Sequence, residues 1–134
     1  MSDSLLLEVV TPDRRLLSEQ VAEVRLPGAL GEMGVLPGHA PLLTSLGTGP
    51  LTYSKGTQQM MLAVQGGFAE VLPDKVTVLA TIAETPAEID LEAARSQLAE
   101  AEAALPTAEA DQLEGLTDAV RLATTRLEVG GGAD

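Results

Sequence analysis

The stretch that decides the fold is VTVLATIAETPAEIDLEAARSQLAEAEAAL, residues 76–105. Before Pro86 the apolar residues alternate with polar ones or form short runs, and after it they recur every three or four residues. A period near two predicts strands with one buried face, and a spacing of three to four predicts helices with one apolar seam. The sequence therefore predicts a β domain followed by helices, with the boundary at Pro86.

The residues before Pro86 repeat the strand pattern along their whole length. Apolar segments are interrupted by turn-forming residues such as Thr11-Pro12-Asp13 and Pro73-Asp74-Lys75. We interpret Lys55-Gly56 as a hairpin turn and Gly66-Gly67 as a bulge or a close backbone approach. The pattern predicts about eight to ten short strands, which is typical of a sandwich or a barrel.

Two helices are predicted after the β domain. Asp90 can cap the first, which runs to about Leu105, and Thr107 can cap the second, which runs to about Glu128. The short connection forces an antiparallel hairpin. Its apolar seams are expected to face each other, and they consist of Leu91, Ala94, Leu98, Ala101 and Leu105 in the first helix and Leu113, Leu116, Val120, Ala123 and Leu127 in the second.

The chain is thus divided into a β domain, residues 1–85, and a helical hairpin with a disordered glycine-rich tail, residues 86–134. Two helices cannot bury both seams fully against each other, so the hairpin needs the β domain or a partner to be stable. A module of this kind is suited to move between docked and extended states.

Composition excludes several classes of protein. The chain has no cysteine, which rules out disulfides and thiolate metal sites and fits a reducing compartment. No apolar run approaches the roughly 20 residues that span a bilayer, and the first residues lack the basic start of a secretory signal. The cytoplasm is therefore the expected location.

Charge also argues against nucleic-acid binding. The formal net charge is −12, and it is concentrated in the hairpin. Residues 1–85 hold five basic and nine acidic side chains, whereas residues 86–134 hold three basic and eleven acidic ones. Nucleic acids require the opposite sign, and Tyr53 and Phe68 are too few aromatic residues for base stacking.

Side chains suited to catalysis are scarce. His39 is the only histidine, so neither a metal site of several imidazoles nor a choice of catalytic bases is available. We expect His39 to close a corner with a hydrogen bond or to make an interface contact. Gly31-Glu32-Met33-Gly34 lacks the third glycine of a dinucleotide-binding loop. The sequence therefore favours a binding or regulatory module over an enzyme, with no metal site.

The run GEMGVLPGHAPLLT, residues 31–44, is the most specific motif of the chain, and VQGGFAEV at 64–71 and VTVL at 76–79 continue it. Together they resemble the epsilon subunit of rotary F-type ATP synthases. The resemblance implies a ten-stranded β-sandwich that packs on the gamma subunit of the rotor stalk. It also implies a subunit without a reaction of its own, which helps couple proton transport to ATP synthesis.

The same resemblance implies where the chain works. The interface would involve Glu32, Met33, His39 and Leu42, with the loop around Glu32 resting on the ring of c subunits. The complex would lie at the cytoplasmic face of the inner (plasma) membrane, or at the thylakoid membrane of a phototroph. In many bacterial members the hairpin extends along gamma toward the alpha and beta subunits and inhibits ATP hydrolysis, which makes these two subunits candidate partners.

Two departures from the family pattern affect the hairpin. Some members bind ATP through Ile/Leu-Asp-x-x-Arg-Ala, and the matched residues are Leu91-Glu92-Ala93-Ala94-Arg95-Ser96. Glu92 and Arg95 are therefore candidate contacts for ATP as a weak regulatory ligand, no cofactor being required; the alternative is a plain i, i+3 ion pair. The second helix also offers only Arg121 and Arg126 for an acidic segment of beta, so strong electrostatic inhibition is not expected.

Two other hypotheses remain beside a rotor-stalk subunit. The first is a free-standing nucleotide sensor whose hairpin folds on ATP, and the second is an enzyme of unknown type. Co-purification with gamma would support the stalk subunit, whereas stabilisation by nucleotide without any partner would support the sensor.

Overall fold

The structure is a computed structural model, and it describes residues 3–131. Within this range the strands are β1 (Leu5–Val10), β2 (Arg15–Val21), β3 (Glu23–Gly28), β4 (Gly31–Val35), β5 (Leu42–Ser45), β6 (Thr48–Lys55), β7 (Gln58–Leu72) and β8 (Lys75–Glu84). A 3-10 turn (Pro86–Glu88), helix α1 (Leu91–Ala104), a second 3-10 turn (Leu105–Thr107) and helix α2 (Ala110–Gly131) follow. The predicted order of β domain and helical hairpin is confirmed.

The number of strands differs from the ten that the resemblance implies. Residues 3–131 form eight strands, which lies within the eight to ten that the residue pattern predicts, and the segments on both sides of Gly66-Gly67 belong to the single strand β7. The hydrogen-bonded order is β2-β1-β8-β7-β6-β3-β4, and β5 pairs with the C-terminal half of β7. β1 and β8 run parallel, whereas the other pairs of strands are antiparallel.

The strand β7 takes part in both layers of the sandwich. Its first half pairs with β6 and its second half with β5, while β8 pairs along both halves. Leu62 and Val64 face the core before Gly66-Gly67, and Ala69 and Val71 face it afterwards, so the buried side changes from even to odd positions. The two glycines have φ values of +72° and +100°, which other residues rarely adopt. Since the register with β8 continues on both sides, Gly66-Gly67 is a close backbone approach and not a bulge.

The core between the layers is aliphatic, as the composition requires. Leu, Val and Ala side chains of the strands fill it, and Tyr53 is its one aromatic member among the described residues. This core is formed entirely by residues of the β domain. The helices pack on its outside.

The observed helix caps agree with the predicted ones only in part. Asp90 caps α1 as predicted, and its carboxylate accepts a hydrogen bond from the backbone N of Ala93 at 3.1 Å. The predicted cap Thr107 is wrong, because this residue ends a 3-10 turn. Glu109 precedes α2 instead, and its backbone N donates to Oε1 of Gln112 at 3.0 Å. A side chain three residues into the helix thus satisfies a free N–H at its start.

The second helix is longer than predicted. It continues beyond Glu128 to Gly131, so the first two residues of the expected glycine-rich tail are helical. The last turn packs against Ile89 and Leu91, and this contact compensates for the poor helix propensity of glycine. Residues 132–134 of the predicted disordered tail lie outside the described residues.

The helices pack as an antiparallel pair, and small residues lie at their contact. Ala94, Ala101 and Ala123, all members of the predicted seams, are buried. Leu113 in the first turns of α2 is 44 % exposed, so the seam does not close at this end of the hairpin.

The hairpin is docked on the β domain. Helix α2 packs across β6 and β7, and the side chain of Gln65 donates to the backbone oxygen of Asp118 at 3.3 Å. Ala63 on β7 is fully buried although it is not part of the interior core. The hairpin therefore covers the outer face of one layer of the sandwich.

Candidate functional site

The candidate sites of this molecule are surfaces. Among residues 3–131, no three His, Asp or Glu side chains are grouped so that they could hold a metal ion. No helix in the same range is long and apolar enough to cross a membrane. The surfaces that remain are the corner formed by β4, β5 and the loop between them, the outer sheet faces, and the hairpin.

The first half of the corner carries Glu32 and Met33 on β4. They lie opposite Pro27 and Leu26 of β3, next to the two-residue turn Ala29-Leu30. Glu32 is exposed, with Oε1 3.7 Å from Nη1 of Arg25, whereas Met33 packs against the core. An exposed pair at this distance contributes little to stability, so Glu32 is free to serve a contact.

The second half of the corner carries His39 and Leu42. Nδ1 of His39 donates to the backbone oxygen of Ala40 at 2.7 Å, and the backbone N of Gly38 donates to the oxygen of Pro73 at 2.7 Å. The loop is thereby attached to the β7–β8 turn. Leu42 lies on β5 and is 40 % exposed. The predicted interface residues thus lie apart, Glu32 beside Pro27 and Leu42 beside Val71. Their role in an interface stays a prediction.

A row of exposed apolar residues was not among the predicted sites. Leu43, Phe68 and Leu79, which we call the apolar strip, lie on the outer face of β5, β7 and β8. Phe68 and Leu79 are direct neighbours across the strands and are 53 % and 52 % exposed. A groove beside them is lined by Val10, Thr11, Pro12, Gly67, Phe68, Leu79, Ala80 and Thr81. The signal was present in the sequence, because Phe68 is the only phenylalanine and alternates with buried residues of its strand.

The predicted ATP contacts Glu92 and Arg95 form the i, i+3 ion pair on α1. Nη1 of Arg95 lies 3.3 Å from Oε1 of Glu92, and the side chains are 60 % and 91 % exposed. Exposed helix pairs of this kind contribute a few tenths of a kcal/mol. Contact of this pair with ATP stays a prediction.

A small cleft lies between the hairpin and the end of β8, and neither Glu92 nor Arg95 lines it. It has a volume of about 180 Å³ and is lined by Glu84, Glu88, Ile89, Asp90, Ala93, Gln97 and Arg126. The motif for ATP also fits Ile89-Asp90-Leu91-Glu92-Ala93-Ala94, two residues earlier, with Ala93 at the position of the arginine. This second register, which the sequence analysis missed, falls on the cleft. Three carboxylates and a volume below that of ordinary ligand pockets make the cleft a poor site for a nucleotide.

The linker between the β domain and α1 is fixed by Glu88. Its carboxylate accepts a hydrogen bond from the backbone N of Thr85 at 2.9 Å and pairs with Arg14 at 2.7 Å. The hydrogen bond from Thr85 and then the guanidinium of Arg14 lower the pKa of Glu88 below its usual value. The carboxylate thus holds the linker on the sandwich at neutral pH.

Residues 4–86 match the ATP synthase delta/epsilon chain beta-sandwich domain. The chain belongs to the ATP synthase delta/epsilon family. Its match to the ATP synthase epsilon chain of Geobacter sulfurreducens has 47 % identity and covers 99 % of this chain and 98 % of the relative. The match to the epsilon chain of Geobacter metallireducens has 56 % identity over 105 residues, which is 78 % of this chain and 76 % of the relative.

A solved structure also resembles this delta/epsilon family member. A chain of the Euglena gracilis mitochondrial ATP synthase, in its OSCP/F1/c-ring assembly, superposes with a TM-score of 0.83 at 27 % identity. The alignment covers 96 % of this chain and 81 % of that one. The resemblance seen in residues 31–44 is confirmed, and the chain is an epsilon-type subunit of the central stalk.

Proposed function

We propose that this subunit helps to couple rotation of the stalk to proton flow by binding the gamma subunit through the apolar strip and the ring of c subunits through the corner. One observation carries the proposal: of the two outer sheet faces, one is covered by the hairpin, and the other exposes Leu43, Phe68 and Leu79. Exposed apolar residues that lie next to each other are typical of a protein–protein contact.

The proposed role needs no active site on the chain itself. The single histidine donates to a neighbouring backbone oxygen, and the carboxylates of the helices lie on exposed faces. We propose that the subunit is accessory to catalysis elsewhere in the complex, which would lie at the cytoplasmic face of the inner (plasma) membrane, or at the thylakoid membrane of a phototroph.

The test of the coupling role is a change of charge at the corner. We expect Glu32→Lys to lower proton-driven ATP synthesis by the assembled complex about threefold or more, because a contact charge is reversed. The melting temperature of the isolated subunit should stay nearly constant, since exposed substitutions fall within about 0.5 kcal/mol.

The matched control is Glu102→Lys, an exposed change of the same charge on α1. Normal synthesis with Glu32→Lys, or an equal loss with Glu102→Lys, would exclude the corner from the contact with the c ring.

We propose further that the hairpin inhibits ATP hydrolysis only weakly when it extends toward alpha and beta. Helix α2 has two arginines, and Arg126 is already paired with Glu84 in the docked state. Deletion of residues 107–134 should therefore raise ATP hydrolysis by the complex less than tenfold, as measured by phosphate release. A larger increase would show that apolar packing, and not charge, holds the inhibited state.

Binding of ATP is expected to be weak, with a dissociation constant above the low micromolar range. Residues 86–134 carry a balance of −8, and Arg95 is the one cation of α1. Screening at physiological salt weakens the long-range repulsion but does not add ligands for the phosphates. Titration calorimetry of the isolated subunit with Mg-ATP measures this constant directly. A value in the low micromolar range would contradict the argument from charge.

A further inference from the structure

We propose that the hairpin is held in its docked position by a clasp. In this clasp Arg126 of α2 binds Glu84 and Gln97, and Gly130 allows the end of α2 to pack closely on the linker. The clasp would favour the docked state of the hairpin, whose regulatory role is proposed above. Only the effect of the clasp on the complex rests on that proposed role. Its geometry belongs to the chain alone, so it can be measured without any partner.

The ionic part of the clasp joins three elements. Nε and Nη2 of Arg126 donate to the two carboxylate oxygens of Glu84, each at 2.8 Å, and Nη1 donates to Oε1 of Gln97 at 3.2 Å. The guanidinium therefore ties α2 to the end of β8 and to α1 at the same time. Bidentate pairs between arginine and carboxylate are the strong form of this interaction.

The shielding of the pair from water strengthens this part. The side chains of Arg126 and Glu84 are 21 % and 26 % exposed, whereas those of Arg95 and Glu92 are 60 % and 91 % exposed. A shielded pair is screened less by solvent and salt than an exposed one. Arg126 and Arg95 thus make pairs of the same chemistry in different environments.

The packing part of the clasp explains a glycine inside a helix. A Cβ added to Gly130 would lie 3.0 Å from Cγ2 of Ile89 and 3.0 Å from Cδ2 of Leu91, which is closer than ordinary contacts. Glycine weakens a helix relative to alanine, so its presence here favours close docking at the expense of helix stability. Gly115, earlier in the same helix, has open space around the corresponding position.

The position of the clasp allows it to open without disturbing the linker. Glu84 ends β8 immediately before the linker, which is held separately by Glu88 through Thr85 and Arg14. Neither Thr85 nor Arg14 belongs to a helix of the hairpin. Loss of the pair between Arg126 and Glu84 would therefore release α2 while the hinge stays attached to the sandwich.

The test uses two spin labels in the full-length chain, whose lack of native cysteine permits selective labelling. With labels at Thr57 and Glu114, both exposed, the unmodified chain should give one narrow distance distribution. Arg126→Gln and Glu84→Gln should each raise the ratio of undocked to docked chains about tenfold, which appears as a second, broad distribution. Arg95→Gln is the matched control and should leave the ratio unchanged.

Two further variants test the parts of the clasp independently. Exchange of the charges in Glu84→Arg/Arg126→Glu should restore the narrow distribution, and Gly130→Ala should broaden it while Gly115→Ala does not. If Arg126→Gln and Glu84→Gln keep the narrow distribution, or if Arg95→Gln broadens it as much, the clasp is wrong. Neither result depends on binding to the stalk, so a failure of the clasp is distinguishable from a failure of the proposed function.

Discussion

Replacement of Gly67 by alanine should lower the free energy of unfolding of the chain by about 3–5 kcal/mol. Two effects add up at this position. Its φ of +100° is rarely adopted by residues with a side chain, and a Cβ there would lie 1.9 Å from the backbone oxygen of Leu79. Strained backbone costs about 1–3 kcal/mol, and overpacking costs a similar amount. Since small domains are stable by only about 5–15 kcal/mol, a large part of the stability would be lost.

Gly56 provides the matched control for this prediction. It also has a positive φ, +61°, but no atom lies within 4 Å of the Cβ that alanine would add. Gly56→Ala should therefore cost only about 1 kcal/mol, the cost of the left-handed conformation alone. Denaturant titrations of the two variants give both values. Equal losses would mean that the clash with Leu79 is relieved by a small movement of the strands.

The second large effect concerns the apolar strip. Phe68→Thr and Leu79→Thr should each weaken binding of the subunit to gamma about 100-fold, because aromatic and aliphatic residues at the centre of a contact dominate its energy. Threonine is suited to strands, so the fold should be retained. The affinity of the full-length chain for purified gamma is the quantity to measure, for example by titration calorimetry.

The control for the strip is Leu113→Gln on α2. Leu113 is 44 % exposed but lies on the hairpin, away from the strip, and glutamine is a good helix former. Its affinity for gamma should equal that of the unmodified chain. If Phe68→Thr changes the affinity less than twofold, the open sheet face is not the gamma interface.

The sequence was sufficient to predict the class of fold, because each class leaves a local pattern. Alternation up to residue 84 predicted strands, spacing of three to four predicted helices, and Asp90 was correctly identified as a cap. The eight strands fall within the predicted eight to ten, and β7 runs through Gly66-Gly67 as one strand. Glycine pairs usually interrupt strands, but here the close approach of β8 keeps the backbone hydrogen-bonded on both sides.

Tertiary contacts explain what the local patterns missed. The helix continues through Gly130 because Ile89 and Leu91 pack on it, and this contact joins residues about forty positions apart. The sequence did not indicate which of the two outer sheet faces the hairpin would cover. Gln65 and Phe68 lie on the same strand, yet α2 covers the first and leaves the second exposed. Which face a hairpin covers depends on packing, and periodicity carries no information about it.

The parallel pairing of β1 with β8 has a consequence for the order in which the chain folds. In this pairing Leu7 lies opposite Val76 and Val9 lies opposite Val78. About seventy residues must therefore be synthesised after β1 before the two strands can pair. Pairings between such distant segments slow folding, whereas helix hairpins rely on local contacts and form fast. On the ribosome the sandwich closes only after β8 has emerged. The sandwich on which α2 docks is therefore completed just before the hairpin itself leaves the tunnel.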